Sequence, residues 1–326
     1  LKENLKILIL RFSSIGDIVL TTPVVRNLKN QMPGVCIHYA TKRKFRSILE
    51  NNPYVDRCVY LDKSLNALVQ ELKVEKYDYI IDLHHNLRTL IIKQRLGIQA
   101  FTFDKLNIEK WLLVNFKVNR MPDVHIVDRY METVKPLGIL NDGQGLDYFI
   151  PAKDFVPKDT LPEPYRKGYI AFAIGGQHAT KKLPFARMIE LCAQLHRPVV
   201  LLGGKEDVVN GEAIVQAFAL EAHKDIFNAC GKYSLNQSAS LVQQAELVFT
   251  HDTGLMHIAA AFKKKIYSIW GNTVPEFGMY PYLTDFKIWE RPNLSCRPCS
   301  KIGYEKCPKG HFKCMNEIIF DVHLLK

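Results

Sequence analysis

Short β-rich runs alternate with longer amphipathic patterns along this chain, and the alternation breaks off once and then restarts. In the first half the extended runs fall at 6–12, 35–40, 57–61, 77–83 and 99–103, with helical patterns such as 64–74 and 87–96 between them. After Leu146-Asp147-Tyr148-Phe149-Ile150 comes PAKDFVPKDTLPEPYRKG, too rich in Pro, Lys and Asp to continue either pattern. Runs at 169–174, 198–202, 246–250 and 265–270 then alternate with helical patterns at 185–195, 208–219, 235–244 and 255–262. Apolar strands separated by helices build parallel sheets covered on both faces. The pattern therefore predicts an α/β protein of two Rossmann-like, doubly wound domains facing across a cleft. A chain of 326 residues suits two cores of about 150 residues each, and the expected boundary lies in the break, giving domains 1–155 and 156–326.

Ligands of such sheets bind beyond the carboxyl ends of the strands, so the loops there hold the candidate chemistry. The run LKILILRF delivers the chain to Ser13-Ser14-Ile15-Gly16-Asp17, residue types suited to a tight turn and a helix N-terminus. Taken alone, Asp17 reads as the cap of a helix carrying Val19, Leu20, Val24, Val25 and Leu28. In IAFAIGGQHATKKLP (170–184) a buried strand runs into Gly175-Gly176, then Lys181-Lys182, then Pro184 opening a helix. Glycines let backbone N–H groups approach an anion, and a lysine beside a helix N-terminus favours phosphate. The stretch matches neither Gly-x-Gly-x-x-Gly nor the P-loop. VFTHDTGLMHIAAA (248–261) is the most specific segment: Asp252 and Thr253 can cap the helix that follows, whose free N–H groups face an anion, and His257 lies one or two turns in. VVLLGGKEDV sets Glu206 just past a glycine turn, where an acidic side chain can hydrogen-bond ribose hydroxyls, although taken alone Glu206 reads as a solvated surface residue.

Composition narrows the classes. At 47% hydrophobic and 24% charged residues the chain is of ordinary globular type, and no apolar stretch reaches the roughly 18–20 residues that span a bilayer. With no basic-then-apolar secretory segment, a cytoplasmic location is expected. The net charge of +11 calls for an anionic partner: nucleic acid, an anionic membrane surface or a phosphorylated substrate. Cys36, Cys58, Cys192 and Cys230 sit in apolar segments as small buried residues, whereas Cys296, Cys299, Cys307 and Cys314 cluster near the end. Their spacing suggests structural zinc more readily than disulfides, but the second pair is six residues apart rather than two to four. A thiol-packed loop or a redox-labile pair is favoured over zinc.

Assembled, Ser14-Ile15-Gly16-Asp17-Ile18-Val19-Leu20-Thr21-Thr22-Pro23, Lys181-x-x-Pro184, Gly203-Gly204-x-Glu206 and Asp252-Thr253-Gly254-x-x-His257 resemble, in order, the motifs of glycosyltransferase family 9, the ADP-heptose:lipopolysaccharide heptosyltransferases. The likeness runs from about residue 6 to about 275. It implies the GT-B architecture, two Rossmann-like domains with the active site between them, and an inverting transfer of a heptose or similar sugar from an ADP-sugar donor to a lipopolysaccharide inner-core acceptor. At matching positions Asp17 is the general base, as well as a helix cap. Lys181 binds phosphate, Glu206 meets the nucleoside, and Asp252, Thr253, Gly254 and His257 embrace the diphosphate and sugar. Arg11, Ser14 and Gly16 stand on the acceptor side. Where the family carries Lys-x-Trp-Pro, this chain has Lys-Lys-Leu-Pro, and the cysteine-rich tail lies outside the family's motifs.

The acceptor side also follows from charge. Arg88, after the Asp82-Leu83-His84-His85-Asn86 segment, is a candidate for an anionic lipid core, while Lys93 and Arg95 suit a solvated helix face. Only one of His84 and His85 should reach the same pocket, since neighbours in extended chain alternate. No cofactor or catalytic metal is expected, nor a nucleic-acid partner, and contact with the inner membrane would be peripheral, on its cytoplasmic face. Two rival classes are a basic nucleic-acid-binding protein with a zinc-stabilised tail and an NAD-dependent oxidoreductase. The first lacks a base-stacking aromatic platform, and the second lacks Gly-x-Gly-x-x-Gly after the first strand. The tail, holding none of the donor motifs, is expected to be structural and to leave donor binding untouched.

Overall fold

Ile7, Leu8, Ile9 and Leu10 are wholly buried, as a strand covered on both faces must be. In the computed structural model, which describes residues 5–220 and 225–322, they belong to β1 (Lys6–Leu10) at the centre of a parallel sheet. Its other strands are β2 (Cys36–Thr41), β3 (Arg57–Tyr60), β4 (Tyr79–Asp82) and β5 (Ala100–Thr102), in the order β3-β2-β1-β4-β5. β1 pairs from Lys6↔Cys36 to Leu10↔Ala40 on one side and from Ile7↔Tyr79 to Leu10↔Asp82 on the other. The winding reverses between β1 and β4, so the switch point of this sheet lies at the end of β1.

A second parallel sheet follows, of β6 (Ile170–Ala173), β7 (Val199–Leu202), β8 (Ile226–Asn228), β9 (Leu247–His251), β10 (Lys265–Trp270) and β11 (Phe286–Glu290). Its order is β11-β10-β9-β6-β7-β8, with the reversal between β6 and β9. Both sheets have the strand order of dinucleotide-binding folds, and the expected two α/β units are present. They comprise Leu1–Lys105 with Val124–Phe149, and Leu106–Asp123 with Ile150–Lys326. The chain thus passes between units at 149/150, ahead of the Pro-rich break, and a segment from the first half belongs to the second unit. No helix among the described residues is long and apolar enough to cross a membrane.

Every strand expected from the sequence is found, most of them shorter by one residue or more. β4 stops at Asp82 because Asp82 Oδ1 accepts the backbone N–H groups of His84 (3.0 Å) and His85 (2.8 Å), which folds the chain out of the sheet. Helix Leu87–Leu96 then starts on Asn86, whose side chain accepts from Thr89 N at 3.1 Å, and ends at Gly97 with φ +65°. Helix Leu235–Gln244 begins with a reciprocal pair: Gln237 N donates to Ser234 Oγ (3.2 Å) and Ser234 N to Gln237 Oε1 (2.9 Å). The strands β8 and β11 and the helices Asn107–Phe116 and Ile126–Met131 were not anticipated. β8 is three residues long, and helix Asn107–Phe116 opens on Leu106 at φ +53° without a capping side chain, so neither carries a strong local signal.

The first unit closes on itself through Arg26, on helix Thr22–Gln31. Its buried guanidinium grips Asp142 through Nε and Nη2 (both 2.8 Å), bonds Gly145 O at 2.9 Å and pairs with Asp147. Hydrogen bonding to Arg26 holds the Asp142 carboxyl down at about 2. Replacing Arg26 by Met would leave two carboxylates without their cation. We expect a loss of about 3 kcal/mol in urea unfolding at pH 7, against less than about 0.5 kcal/mol for the exposed Arg46→Met.

Candidate active site

β1 ends in a cation that cannot stand alone. Arg11 is buried, and four of its N–H groups are committed within the first unit: Nε to Ser13 O (2.8 Å), Nη1 to Tyr130 Oη (2.9 Å) and to Leu83 O, and Nη2 to Asp17 Oδ1 (2.6 Å). The other carboxylate oxygen, Oδ2, accepts from Ser14 N (2.9 Å) and Ser14 Oγ (2.7 Å). Burial alone would raise the Asp17 carboxyl. The Arg11 charge and the two Ser14 donors outweigh it and set the group at about 2. Asp17 is therefore ionised at any pH near neutral, with its plane fixed.

This geometry corrects one expectation. Ser14, not Asp17, is the N-cap; Asp17 stands three residues in and reaches back to it, and the short helix Ile15–Val19 breaks before helix Thr22–Gln31 begins. Arg11 holds Asp17 in place. Gly16 is buried in the same turn. Tyr130, more than a hundred residues from Arg11, completes the group and has no signature in the sequence.

Around it the two histidines point apart, because the chain has left the sheet at Asp82 and His85 sits at φ +50°. His85 Nδ1 turns to Phe103 O (3.0 Å), while His84 packs edge-on to Phe12 and feels the charges of Arg11 and Asp17. Burial first, then Arg11, brings the His84 pKa down to about 4, so it is neutral at pH 7. Arg88 is exposed on the first turn of its helix; Lys93 is not, pairing with the buried Asp82 at 2.8 Å.

In the second unit the two strands at the switch point, β6 and β9, bring their loops together. Lys181 Nζ pairs with Asp252 Oδ2 at 2.6 Å, and Thr273 Oγ1 donates to the same oxygen at 2.9 Å. A Cβ on Gly176 would lie 3.2 Å from Lys182 Cγ and 3.3 Å from Thr253 Cγ2, so a glycine gives these loops their close approach. Thr253 is the extended N-cap of helix Gly254–Ala261, without a side-chain bond to it. His257 is buried in that helix, and His251 Nε2 accepts from Leu183 N at 3.0 Å. After β7, Glu206 is exposed on a turn, while its neighbour Asp207 is buried, accepting from Gly204 N (3.0 Å) and pairing with Lys182 (3.2 Å). Sequence reading passed over Asp207 and Thr273, which tie the loops that carry Glu206 and Asp252.

The cysteine tail packs on these loops. Tyr304 N donates to Thr180 Oγ1 (2.8 Å), Thr180 N to Tyr304 O (3.1 Å), Cys299 N to Asn272 O (3.0 Å) and Arg297 Nη2 to Thr273 O (2.9 Å). The four thiols are free, with burial pushing Cys299 up to about 11 and Cys314 up to about 12. Cys296 Sγ lies 3.9 Å from His311 Nε2, but no three His, Cys, Asp or Glu among the described residues are arranged to hold a metal ion.

The model of glycosyltransferase family 9 (heptosyltransferase) matches residues 65–308. Lipopolysaccharide heptosyltransferase 1 of Campylobacter coli is 23% identical over 304 residues, covering 82% of this chain and 84% of that protein. The solved structure of E. coli ADP-heptose lps heptosyltransferase II superposes with a TM-score of 0.69 at 21% identity, over 96% of this chain and 98% of the other. An E. coli heptosyltransferase solved with ADP-2-deoxy-2-fluoro heptose gives 0.66 at 22% identity, over 88% and 94%.

Because the Asp17 pKa is lowered below its ordinary value of 3.8, the Arg11 pair stabilises the fold fully above pH 4 and loses that contribution as pH falls through about 2. Arg11→Leu should therefore cost about 3 kcal/mol at pH 7 and progressively less below pH 4, measured by urea unfolding across pH. A pH-independent gap would mean that the pair is not formed.

Proposed function

Since the chain belongs to glycosyltransferase family 9, the heptosyltransferases, and shares their GT-B fold, we propose that it moves a heptose from an ADP-heptose onto the inner core of a lipopolysaccharide, with inversion at the anomeric carbon. The observation that carries this reading is the ionised, immobilised Asp17 carboxylate at the switch point of the first sheet. As the acceptor oxygen bonds to the anomeric carbon, the bond from that carbon to the diphosphate oxygen breaks, and the acceptor hydroxyl proton passes to Asp17. A carboxylate with a pKa near 2 is a weak base toward a resting hydroxyl. It suffices late in the reaction, when the half-bonded oxygen has become strongly acidic.

In this reading the first unit takes the acceptor and the second the donor. Charge developing on the departing ADP is met by Lys181 and by the N-terminal N–H groups of helix Gly254–Ala261. Glu206 meets the ribose of the nucleoside, and Arg88 an anionic group of the acceptor. The chemistry needs one proton acceptor and fixed positive charge, so the transfer requires no cofactor. The place of work is the cytoplasmic face of the inner membrane, where a lipid-anchored acceptor is met.

Three measurements test the reading. ADP should raise the melting temperature more than UDP, GDP or NAD; a response to NAD alone would overturn it. Asp17→Asn should lower kcat at least about a hundredfold while ADP affinity stays within a few-fold, because the base acts on the acceptor. Folded Asp17→Asn with near-normal turnover would remove Asp17 from the chemistry. Lys181→Ala should weaken ADP about tenfold or more and adenosine hardly at all, since the lost contact is to phosphate. An equal effect on both ligands would reduce Lys181 to a structural partner of Asp252.

A further inference from the structure

Helix Asn107–Phe116 is apolar on both sides, although only one side is used. Leu113, with Val114, packs on Val274 and Phe277. On the outer side Ile108 is 71% exposed, Trp111 49% and Phe116 60%, and the Trp111 and Phe116 rings meet edge-to-face at 5.0 Å. Single exposed apolar side chains are common on soluble proteins, but a clustered Trp, Phe and Ile are not. The helix is bound at both ends to the cysteine-bearing loop: Lys301 Nζ donates to Asn107 O (3.2 Å), and Lys117 Nζ to Pro298 O (2.6 Å) and Cys296 O (3.3 Å). That loop adds exposed Ile302 and Tyr304.

Charge says what covers this face. Residues 106–120 and 300–313 carry seven lysines and arginines against two glutamates, nearly half of the chain's net +11. Among the described residues, Lys117, Arg120, Lys301, Lys306 and Lys309 have no carboxylate within ion-pair distance. Two copies of so cationic a face repel, which disfavours self-association. Aromatic and aliphatic side chains ringed by lysines match the boundary between headgroups and acyl chains of an anionic bilayer.

We propose that the outer side of helix Asn107–Phe116 and the loop around Lys301–Lys309 form a docking face for an anionic lipid surface, with Trp111, Phe116 and Ile108 inserted and the lysines on the headgroups. The inference extends the reading of a lipid-anchored acceptor. Its test uses vesicles without any acceptor, so docking and transfer can fail separately.

Trp270 and Trp289 are buried, so a change in tryptophan emission on lipid binding reports Trp111. With phosphatidylethanolamine/phosphatidylglycerol vesicles, the emission should shift to the blue and the protein should co-sediment. Binding to phosphatidylcholine vesicles should be at least about tenfold weaker, at about fivefold per engaged lysine. Trp111→Ser/Phe116→Ser and Lys306→Glu/Lys309→Glu should each reduce sedimentation at least about tenfold while ADP still raises the melting temperature. Lys153→Glu/Lys158→Glu, which lies elsewhere on the second unit, should change it less than about threefold. The proposal is overturned by an unshifted emission on anionic vesicles, or by equal losses in the two lysine variants. It is likewise overturned if light scattering finds a dimer that Trp111→Ser/Phe116→Ser dissociates, since the face would then bind a second copy.

Discussion

A parallel strand buried on both faces can place charge only where it ends, and this constraint arranges everything else. From Ile7 to Leu10 no side chain of β1 reaches solvent, so Arg11 is the first position able to carry chemistry, and it too is buried. A guanidinium removed from water needs a counter-charge and acceptors for its fork of donors. Asp17, Tyr130, Leu83 O and Ser13 O supply them, drawn from the turn after β1, from the end of β4 and from helix Ile126–Met131. The Asp17 carboxylate is thereby fixed as a by-product of neutralising the strand end. Its low pKa follows from the same pair, which holds the carboxylate rigid and keeps it ionised near neutral pH.

The second unit solves a similar problem with two ion pairs in place of one. Lys181–Asp252 joins the loops after β6 and β9, and Lys182–Asp207 joins those after β6 and β7. Two neighbouring lysines thus lock three strand-end loops into one surface before any ligand arrives. If the proposed donor settles there, its diphosphate must compete with Asp252 for Lys181, so part of the attraction between cation and phosphate is already spent in the free protein. In the proposed transfer the return would be preorganisation: fixed donors cost little reorganisation as negative charge develops on a leaving group.

How much of this was legible depends on the range of each signal. Helices Leu87–Leu96 and Leu235–Gln244 were readable to the residue, because caps, periodicity and terminator lie within a dozen positions. Strand-end loops bearing Asp17, Lys181 and Asp252 were readable because apolar runs deliver the chain to them. The commitment of Arg11 was not legible, since its partner Tyr130 is 119 positions away and nothing local distinguishes a committed arginine from an open one. Asp207 and Thr273 were passed over for the same reason: each matters through a bond to another loop. The cysteine tail shows the converse case. Its separation in sequence from the donor motifs suggested independence, yet the paired bonds between Tyr304 and Thr180 place it one residue from Lys181.

That last contact joins the face rich in lysine to the loops of the second unit. The segment 299–304 touches helix Asn107–Phe116 through Lys301, Asn272 through Cys299, and Thr180 through Tyr304. It has few apolar side chains of its own and is ordered by these neighbours rather than by a core. A load on its outer side, such as lipid headgroups drawing on Lys301, would therefore bear directly on the backbone that holds Thr180 and, one residue on, Lys181. Where a segment lacks a core, the contacts on its two sides carry much of its order, so strengthening one set alters how firmly the other is held.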